Sequence, residues 1–280
     1  MAFFGIHSPH PGFKTSRYYY DMIDESKIKI PPVDESNHPV MEYQRINKNW
    51  KHGFSEDMIK KVRRIYLAMI AEVDAMIGRI LEFVNEFELD ENTYIIFSSD
   101  HGEMAMEHRQ YYKMSFYEPS VHVPLIISGP GIEENREVED LVSLVDIYPT
   151  LMDMADLDYP ENLDGYSLMP QLEGKSGENP DWVLSEFHGT TMNTSGFMLR
   201  KGAWKYMAYV GYQPQLFNLK EDPWEVNNLA EEMPGKVKEM DDLLRSIVNY
   251  EEVHERVKAY DKASFSQFGN NLKDVGLYED

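Results

Sequence analysis

Residues 93–103 read TYIIFSSDHGE, an apolar run of β-branched and aromatic residues that becomes polar at its end. Such a run predicts a buried β-strand over residues 93–97. A second apolar run, VPLII at 123–127, precedes a Gly-Pro-Gly turn and predicts another strand. Because helical patterns separate the apolar runs, we expect an α/β sheet. Ligand sites in such sheets lie beyond the carboxyl ends of the strands, where residues 98–103 fall.

The remaining elements of the first 180 residues follow from hydrophobic spacing and helix caps. Ser55 precedes two acidic residues and predicts a helix start, and apolar residues three or four apart continue that helix to about residue 88. A shorter helix is predicted over 143–155. The apolar residues 2–6 predict a short buried strand. Residues 14–54 are polar and interrupted by proline, so they predict an irregular loop.

Short apolar segments separated by turns begin at about residue 180 and predict an antiparallel meander. A helix is expected at about 233–248, and the charged tail is expected to form a helix with a loose end. We therefore predict three parts. Residues 1–180 belong to an α/β domain, residues 181–250 form a smaller antiparallel α+β subdomain, and residues 251–280 form a helical tail.

Composition excludes several functional classes. The 280 residues contain 27 Lys and Arg against 49 Asp and Glu, a net charge of −22 that repels nucleic acid. No apolar run reaches the roughly 20 residues of a membrane span. The first residues lack the basic segment of a signal peptide. The chain has no cysteine, which excludes disulfides, thiolate metal sites and cysteine nucleophiles within these residues.

Asp100 and His101 are the first candidates for chemistry, because they directly follow a predicted strand. A carboxylate and an imidazole at that position predict a metal or anion site. The alternative is a plain turn, with the aspartate capping a helix and the histidine packed beside it. Lys113 and His10 are weaker candidates for contact with an anion, since most lysines are solvated and most turn histidines are structural. Glu107 and His108 could equally support the site or lie on a helix surface.

Five segments of the chain, in this order, resemble the sulfatase family of the alkaline-phosphatase-like superfamily. They are GIHSPHP at 5–11, SSDHGEMAMEHRQYYKMSFYEPSVHVPLIISGPG at 98–131, SLVDIYPTLMDMA at 143–155, LDGYSLMP at 163–170 and QLFNLKEDPWEVNNLA at 215–230. The resemblance implies part of an α/β/α sandwich followed by the antiparallel subdomain. It also implies hydrolysis of sulfate esters, with a carbohydrate, a glycosaminoglycan such as one carrying glucuronate 2-sulfate, or an aryl sulfate as substrate.

The resemblance also implies roles for individual residues. Asp100 and His101 match a pair that binds a divalent cation, usually calcium, in this family. Lys113 and His10 match residues that contact the sulfate and the leaving oxygen, and they are therefore the expected catalytic residues. His188 is a further candidate for sugar contact, together with its neighbours Glu186 and Asn193. An ordinary strand-to-loop connection explains these last three residues equally well.

The nucleophile of the family is a formylglycine made from the cysteine of a C-x-P-x-R motif. This chain contains no cysteine, and no serine lies in an equivalent motif. We therefore expect the nucleophile in a preceding segment and the isolated chain to be inactive. Two alternatives stay open: a non-catalytic remnant that binds sulfated glycans, and a phosphatase or phosphodiesterase of the same superfamily. The resemblance implies a lysosomal, secreted or periplasmic location.

Overall fold

The computed structural model describes residues 1–33 and 37–274, with side chains up to residue 268. The helices, in chain order, are α1 (Arg17–Met22), α2 (Pro39–Asn47), α3 (Glu56–Glu86), α4 (Glu118–Val121), α5 (Ile147–Met154), α6 (Met169–Leu172), α7 (Pro234–Ile247) and α8 (Tyr250–Asp274). The strands are β1 (Ile95–Ser98), β2 (Leu125–Ser128), β3 (Trp182–Phe187), β4 (Gly196–Lys201), β5 (Trp204–Tyr209) and β6 (Gln215–Asn218). None of the helices in the described ranges is both long enough and apolar enough to pass through a bilayer.

Helix α3 confirms the amphipathic prediction and its N-cap. The Ser55 hydroxyl accepts a hydrogen bond from the Met58 amide at 3.2 Å. The two acidic residues of the first turn lie next to unpaired amides, where negative charge is favoured. The buried residues of the helix are Ile59, Ala68, Met69 and Val73.

Strands β1 and β2 pair antiparallel, with Ile96 opposite Ile127. Both strands were predicted, but β1 is half-buried along its length rather than fully buried. Strand β2 alternates between half-buried and exposed residues, as a strand with one covered face does. The turn after β2 brings Gly129 against Tyr94, where a β-carbon would lie 2.5 Å from the tyrosine ring. A side chain at that position would therefore separate the two strands.

The predicted strand at residues 2–6 is wrong. These residues are irregular, and Phe3 and Phe4 are 89% and 65% exposed. Apolar and aromatic content favours a strand only where another strand offers its backbone groups. In the described residues, β1 pairs with β2 alone, so residues 2–6 have no pairing partner.

The prediction of an irregular loop over residues 14–54 is also wrong in part. Helix α1 forms within it, and the Ser16 hydroxyl accepts from the Tyr19 amide at its start. Helix α2 begins at Pro39, a residue suited to the first helical position, and buries Val40, Met41 and Gln44. The prolines that suggested a loop lie outside the helices or at this helix start. The Asp-Glu-Ser segment at 34–36 lies outside the described residues.

The C-terminal elements agree with the predictions. Strands β3 to β6 form a four-stranded antiparallel meander in chain order. Helix α7 packs its buried Met240 and Leu244 against Phe197, Leu199 and Leu216 of the sheet. The helix predicted at 143–155 is present as a 3₁₀ turn followed by α5. Helix α8 accounts for the helical tail, and its expected loose end, at 275–280, lies outside the described residues.

A second core joins the segment after β1 to this sheet. Met104, Phe116 and Tyr117 pack with Met207 and Phe217 from β5 and β6. Burying such large side chains contributes about 1.5–3 kcal/mol each. The segment between β1 and β2 is therefore fixed against the C-terminal sheet, whereas the division of the chain at 180/181 and 250/251 stays a prediction.

We expect Ser55→Ala to lower the free energy of unfolding by about 1 kcal/mol, because the Met58 amide would lose its cap. Urea unfolding of the 280-residue chain measures this change. Ser266→Ala is the matched control, because the Ser266 hydroxyl bonds only the Lys262 carbonyl of its own helix and caps no helix end. Equal stabilities of Ser55→Ala and the unsubstituted chain would contradict the role of this cap.

Candidate active site

Lys113 and His10 lie together although 103 residues separate them. The Lys113 ammonium is 2.8 Å from His10 Nε2. His10 Nδ1 lies 2.8 Å from the Pro11 carbonyl, which can only accept a hydrogen bond. This geometry assigns the ring proton to Nδ1 and leaves the Nε2 lone pair to accept from Lys113. The two residues predicted to contact an anion are thus directly hydrogen-bonded.

Asp100 and His101 lie next to this pair. The His10 and His101 rings are 5.7 Å apart in an edge-to-face arrangement. His101 Nδ1 lies 2.8 Å from the Gly102 carbonyl, so its Nε2 also carries a lone pair. That nitrogen is 3.6 Å from Asp100 Oδ2, and the Asp100 side chain is 85% exposed. The four residues predicted for the site therefore converge.

These donors fit part of a divalent-cation site. The imidazole lone pair of His101 and the exposed carboxylate of Asp100 lie side by side, and both are groups that bind metals. Calcium takes six to eight oxygen ligands. Within the part of the chain that the structure describes, no group of three or more His, Asp or Glu could hold a metal ion. Two donors do not complete such a site.

Glu103 shapes the loop that leads from His101 to Lys113. Its buried carboxylate accepts from the Ala105 amide at 3.2 Å and from the Tyr112 amide at 2.5 Å. Burial raises the pKa of Glu103, and the two amide hydrogen bonds oppose that rise. The sequence pattern includes Glu103 in the DHGE motif but does not by itself indicate this role. Its position directly after the Gly of the DHG turn was the available signal.

Helix α4 contacts both sides of the site through Ser120. The Gly102 amide donates to the Ser120 carbonyl at 2.8 Å, and the Ser120 hydroxyl donates to the Lys113 carbonyl at 2.7 Å. A β-carbon at Gly102 would lie 2.0 Å from the Pro119 carbonyl oxygen. Only glycine therefore permits this approach of the DHG turn to α4.

Glu107 and His108 belong to the packing around the loop. Glu107 lies 3.5 Å from the Arg63 guanidinium on α3, and burial raises the pKa of Glu107. The buried His108 ring stacks on Tyr117 with centroids 3.6 Å apart. Glu107 thus joins the segment between β1 and β2 to α3, and His108 packs against Tyr117 within that segment.

The three candidates for sugar contact lie at the end of β3 and in the connection from β3 to β4. His188 Nε2 is 3.0 Å from Glu186 Oε2, and the His188 ring lies 5.1 Å from the ring of Phe197. The Asn193 amide donates to the Tyr212 hydroxyl at 2.8 Å. Glu186 and His188 are therefore joined to each other, and His188 and Asn193 each contact a residue of the C-terminal part of the chain. The structure does not bring them into contact with Lys113.

Two family profiles match the chain and overlap at residues 106–157. The profile described as sulfatase covers residues 1–157. The profile described as N-sulphoglucosamine sulphohydrolase, C-terminal, covers residues 106–252. Together they span the site residues and the antiparallel sheet.

Curated relatives are similar in sequence to almost the whole of this chain. Arylsulfatase K of Mus musculus is 46% identical over an alignment of 304 positions, which covers 98% of this chain and 55% of the mouse protein. Arylsulfatase K of Homo sapiens is 42% identical, with 97% of this chain and 55% of the human protein covered. The chain therefore spans about half the length of the curated relatives it matches.

Solved structures share the fold. A phosphonate monoester hydrolase of Agrobacterium radiobacter is 29% identical with a TM-score of 0.71, covering 85% of this chain and 54% of that one. A protein described as a 2-O GAG sulfatase is 26% identical with a TM-score of 0.70 and the same coverage. These likenesses confirm the predicted α/β fold of the alkaline-phosphatase-like superfamily, and the first profile matches more than half of the chain. This chain belongs to the sulfatase family.

Proposed function

We propose that this chain is the C-terminal part of an enzyme that hydrolyses sulfate esters of a carbohydrate or glycosaminoglycan. The observation that carries the proposal is the hydrogen bond between Lys113 and His10 beside His101. It places the ammonium of Lys113, a donor suited to sulfate oxygens, beside the imidazoles of His10 and His101. The match to arylsulfatase K over nearly the whole chain supports the same reaction.

In this proposal, Lys113 binds the sulfate. One N–H of its ammonium donates to His10 Nε2, and the other two are available for sulfate oxygens. As negative charge develops on these oxygens in the transition state, a fixed ammonium lowers its energy. The neutral His10 ring accepts from Lys113 at Nε2 and holds the lysine in this orientation. With a second proton at Nε2, the ring releases Lys113 and can donate that proton to the leaving oxygen.

Asp100 and His101 would provide two ligands of a divalent cation, and further ligands would come from residues outside this chain. When bound there, the cation supplies positive charge that polarises the sulfate. Calcium matches the family, but the imidazole of His101 is a ligand more typical of transition metals. The nucleophile also lies outside these residues in this proposal, because the chain has no cysteine from which a formylglycine could form. The location that corresponds to this proposal is lysosomal, secreted or periplasmic.

Lys113→Ala and His10→Ala should each lower kcat of the complete gene product roughly 10²–10⁴-fold and change KM little, because each removes one transition-state contact. Steady-state hydrolysis of an aryl sulfate measures both constants. Lys201→Ala is the matched control, since Lys201 pairs with Asp181 on the surface of the C-terminal sheet.

A loss confined to KM would contradict the proposed roles of Lys113 and His10. The 280-residue chain alone should hydrolyse no aryl sulfate above its own Lys113→Ala background. Binding of a sulfated sugar without turnover by the complete product would instead favour a non-catalytic glycan-binding protein.

The likeness to a phosphonate monoester hydrolase favours a second candidate, hydrolysis of phosphoryl esters. We expect the complete product to prefer an aryl sulfate to the matching aryl phosphate. Among sulfated disaccharides we expect preference for a 2-O-sulfated uronate, such as glucuronate 2-sulfate, over a 6-O-sulfated glucosamine. The relatives named arylsulfatase K and the 2-O GAG sulfatase support this order.

Values of kcat/KM on these four substrates measure the preference, and a matched pair of nitrophenyl esters controls for the leaving group. Faster turnover of the phosphate ester would replace the proposed reaction by phosphoryl transfer. Faster turnover of the 6-O-sulfated sugar would leave sulfate hydrolysis in place and contradict the substrate assignment.

A further inference from the structure

Lys205 on β5 places an ammonium in the interior of the protein. The side chain is 0% exposed. Its Nζ lies 2.6 Å from Glu118 Oε1, 2.7 Å from Glu225 Oε1 and 2.9 Å from the Phe116 carbonyl. The Phe116 carbonyl accepts a hydrogen bond from this ammonium, and the two carboxylate oxygens lie at ion-pair distance from it. The charge is therefore buried and fully paired.

The two carboxylates around Lys205 lie in different surroundings. Glu225 is 1% exposed, and burial raises its pKa, against the nearby charge of Lys205. Burial also acts to raise the pKa of Glu118, but the hydrogen bond with His122 and the charge of Lys205 lower it to about 2. Arg200 adds a second cation, 3.1 Å from Glu118.

Stability alone does not explain a buried cluster of this kind. Replacing a complete buried ion network by apolar side chains of similar volume is often neutral or stabilising. Removing a single member is strongly destabilising, because it leaves a buried charge unpaired. The charged groups add a fixed geometry, because each hydrogen bond between them holds a donor atom at a set distance and angle from its acceptor.

The atoms that the cluster fixes belong to helix α4. Glu225 Oε2 accepts from the Glu118 amide at 2.6 Å, at the first residue of the helix. The N-cap residue, Tyr117, provides no side-chain acceptor there. Two residues, about half a helical turn, separate this anchor from Ser120, which contacts the Gly102 amide and the Lys113 carbonyl. The cluster is thus two residues along α4 from the contacts that fix the site.

We propose that Lys205, Glu225 and Glu118 form a positioning cluster that sets the placement of Lys113 and His101 through α4. The proposal rests on the proposed sulfatase function for its catalytic consequence. In this proposal Lys205 contacts neither substrate nor cation and acts through Glu118, Glu225 and Phe116. The C-terminal sheet, which carries Lys205, then controls the geometry of a site built on the loop after β1.

The test uses the double variant Lys205→Met/Glu225→Gln, in which no carboxylate is left unpaired because Glu118 keeps Arg200 and His122. We expect its melting temperature to lie close to that of the unsubstituted chain. We expect the Gly102 amide to exchange with solvent at least ten-fold faster, because Glu118 at the start of α4 loses its contact with Lys205 on β5. Hydrogen exchange on the 280-residue chain measures this without any turnover.

In the complete gene product, the same double variant should lower kcat 10- to 100-fold and change KM less than three-fold. Glu225→Gln alone is the second variant, because it keeps the volume of Glu225 and leaves Lys205 paired with Glu118. Lys201→Met is the control, since it removes an exposed lysine from the neighbouring strand β4 and should alter neither exchange nor turnover.

Unchanged exchange at the Gly102 amide in both cluster variants would overturn the proposal, whatever the enzyme activity. Faster exchange with unchanged kcat would overturn its catalytic part. Failure of the sulfatase proposal is a separate result: the unsubstituted product would then hydrolyse no sulfate ester, and the exchange rates would still decide whether the cluster positions α4.

Discussion

The buried ammonium of Lys205 is the constraint on which the segment between β1 and β2 depends. A buried ammonium needs oxygen partners in place of water. Lys205 donates a hydrogen bond to the Phe116 carbonyl and lies at ion-pair distance from Glu118 and Glu225. Because two of these partners flank the start of α4, satisfying the charge also places α4, and α4 contacts the turn that carries His101.

The site and the C-terminal sheet are therefore one structural unit, although they lie far apart in the sequence. Met104 and Phe116 pack on the sheet from the loop after β1, and the ion cluster adds direction to that apolar contact. Apolar packing holds the loop against the sheet, and hydrogen bonds between charged groups add a fixed geometry between individual atoms. In this arrangement, a subdomain without predicted catalytic residues still controls where Lys113 lies.

Sequence patterns predicted those elements whose structure depends on local rules. The Ser55 cap and the apolar spacing of α3, the meander of β3 to β6 and helix α7 are of this kind. The strand at residues 2–6 failed because a strand needs a pairing neighbour, which composition does not report. Helix α2 was missed because Pro39 suggested a loop, although proline is suited to a helix start.

The site residues also fall into two groups: those that the sequence indicates and those whose role appears only in the structure. Asp100 and His101 follow a strand, so their position was visible in the sequence, and the family resemblance added Lys113 and His10. The structure brings these four together. The roles of Glu103 and Lys205 were not visible, because Glu103 closes a loop of irregular backbone and Lys205 meets partners 87 or more residues before it or 20 residues after it. Only folding reveals which charges become buried together.

The central claim is that these residues form one part of a sulfatase site and that a preceding segment supplies the nucleophile. Sequencing the transcript upstream of the Met1 codon tests this claim most directly. The account predicts an in-frame C-x-P-x-R motif preceded by a pair of aspartates in the same reading frame. A transcript whose reading frame starts at Met1, with no such coding sequence before it, would contradict the claim.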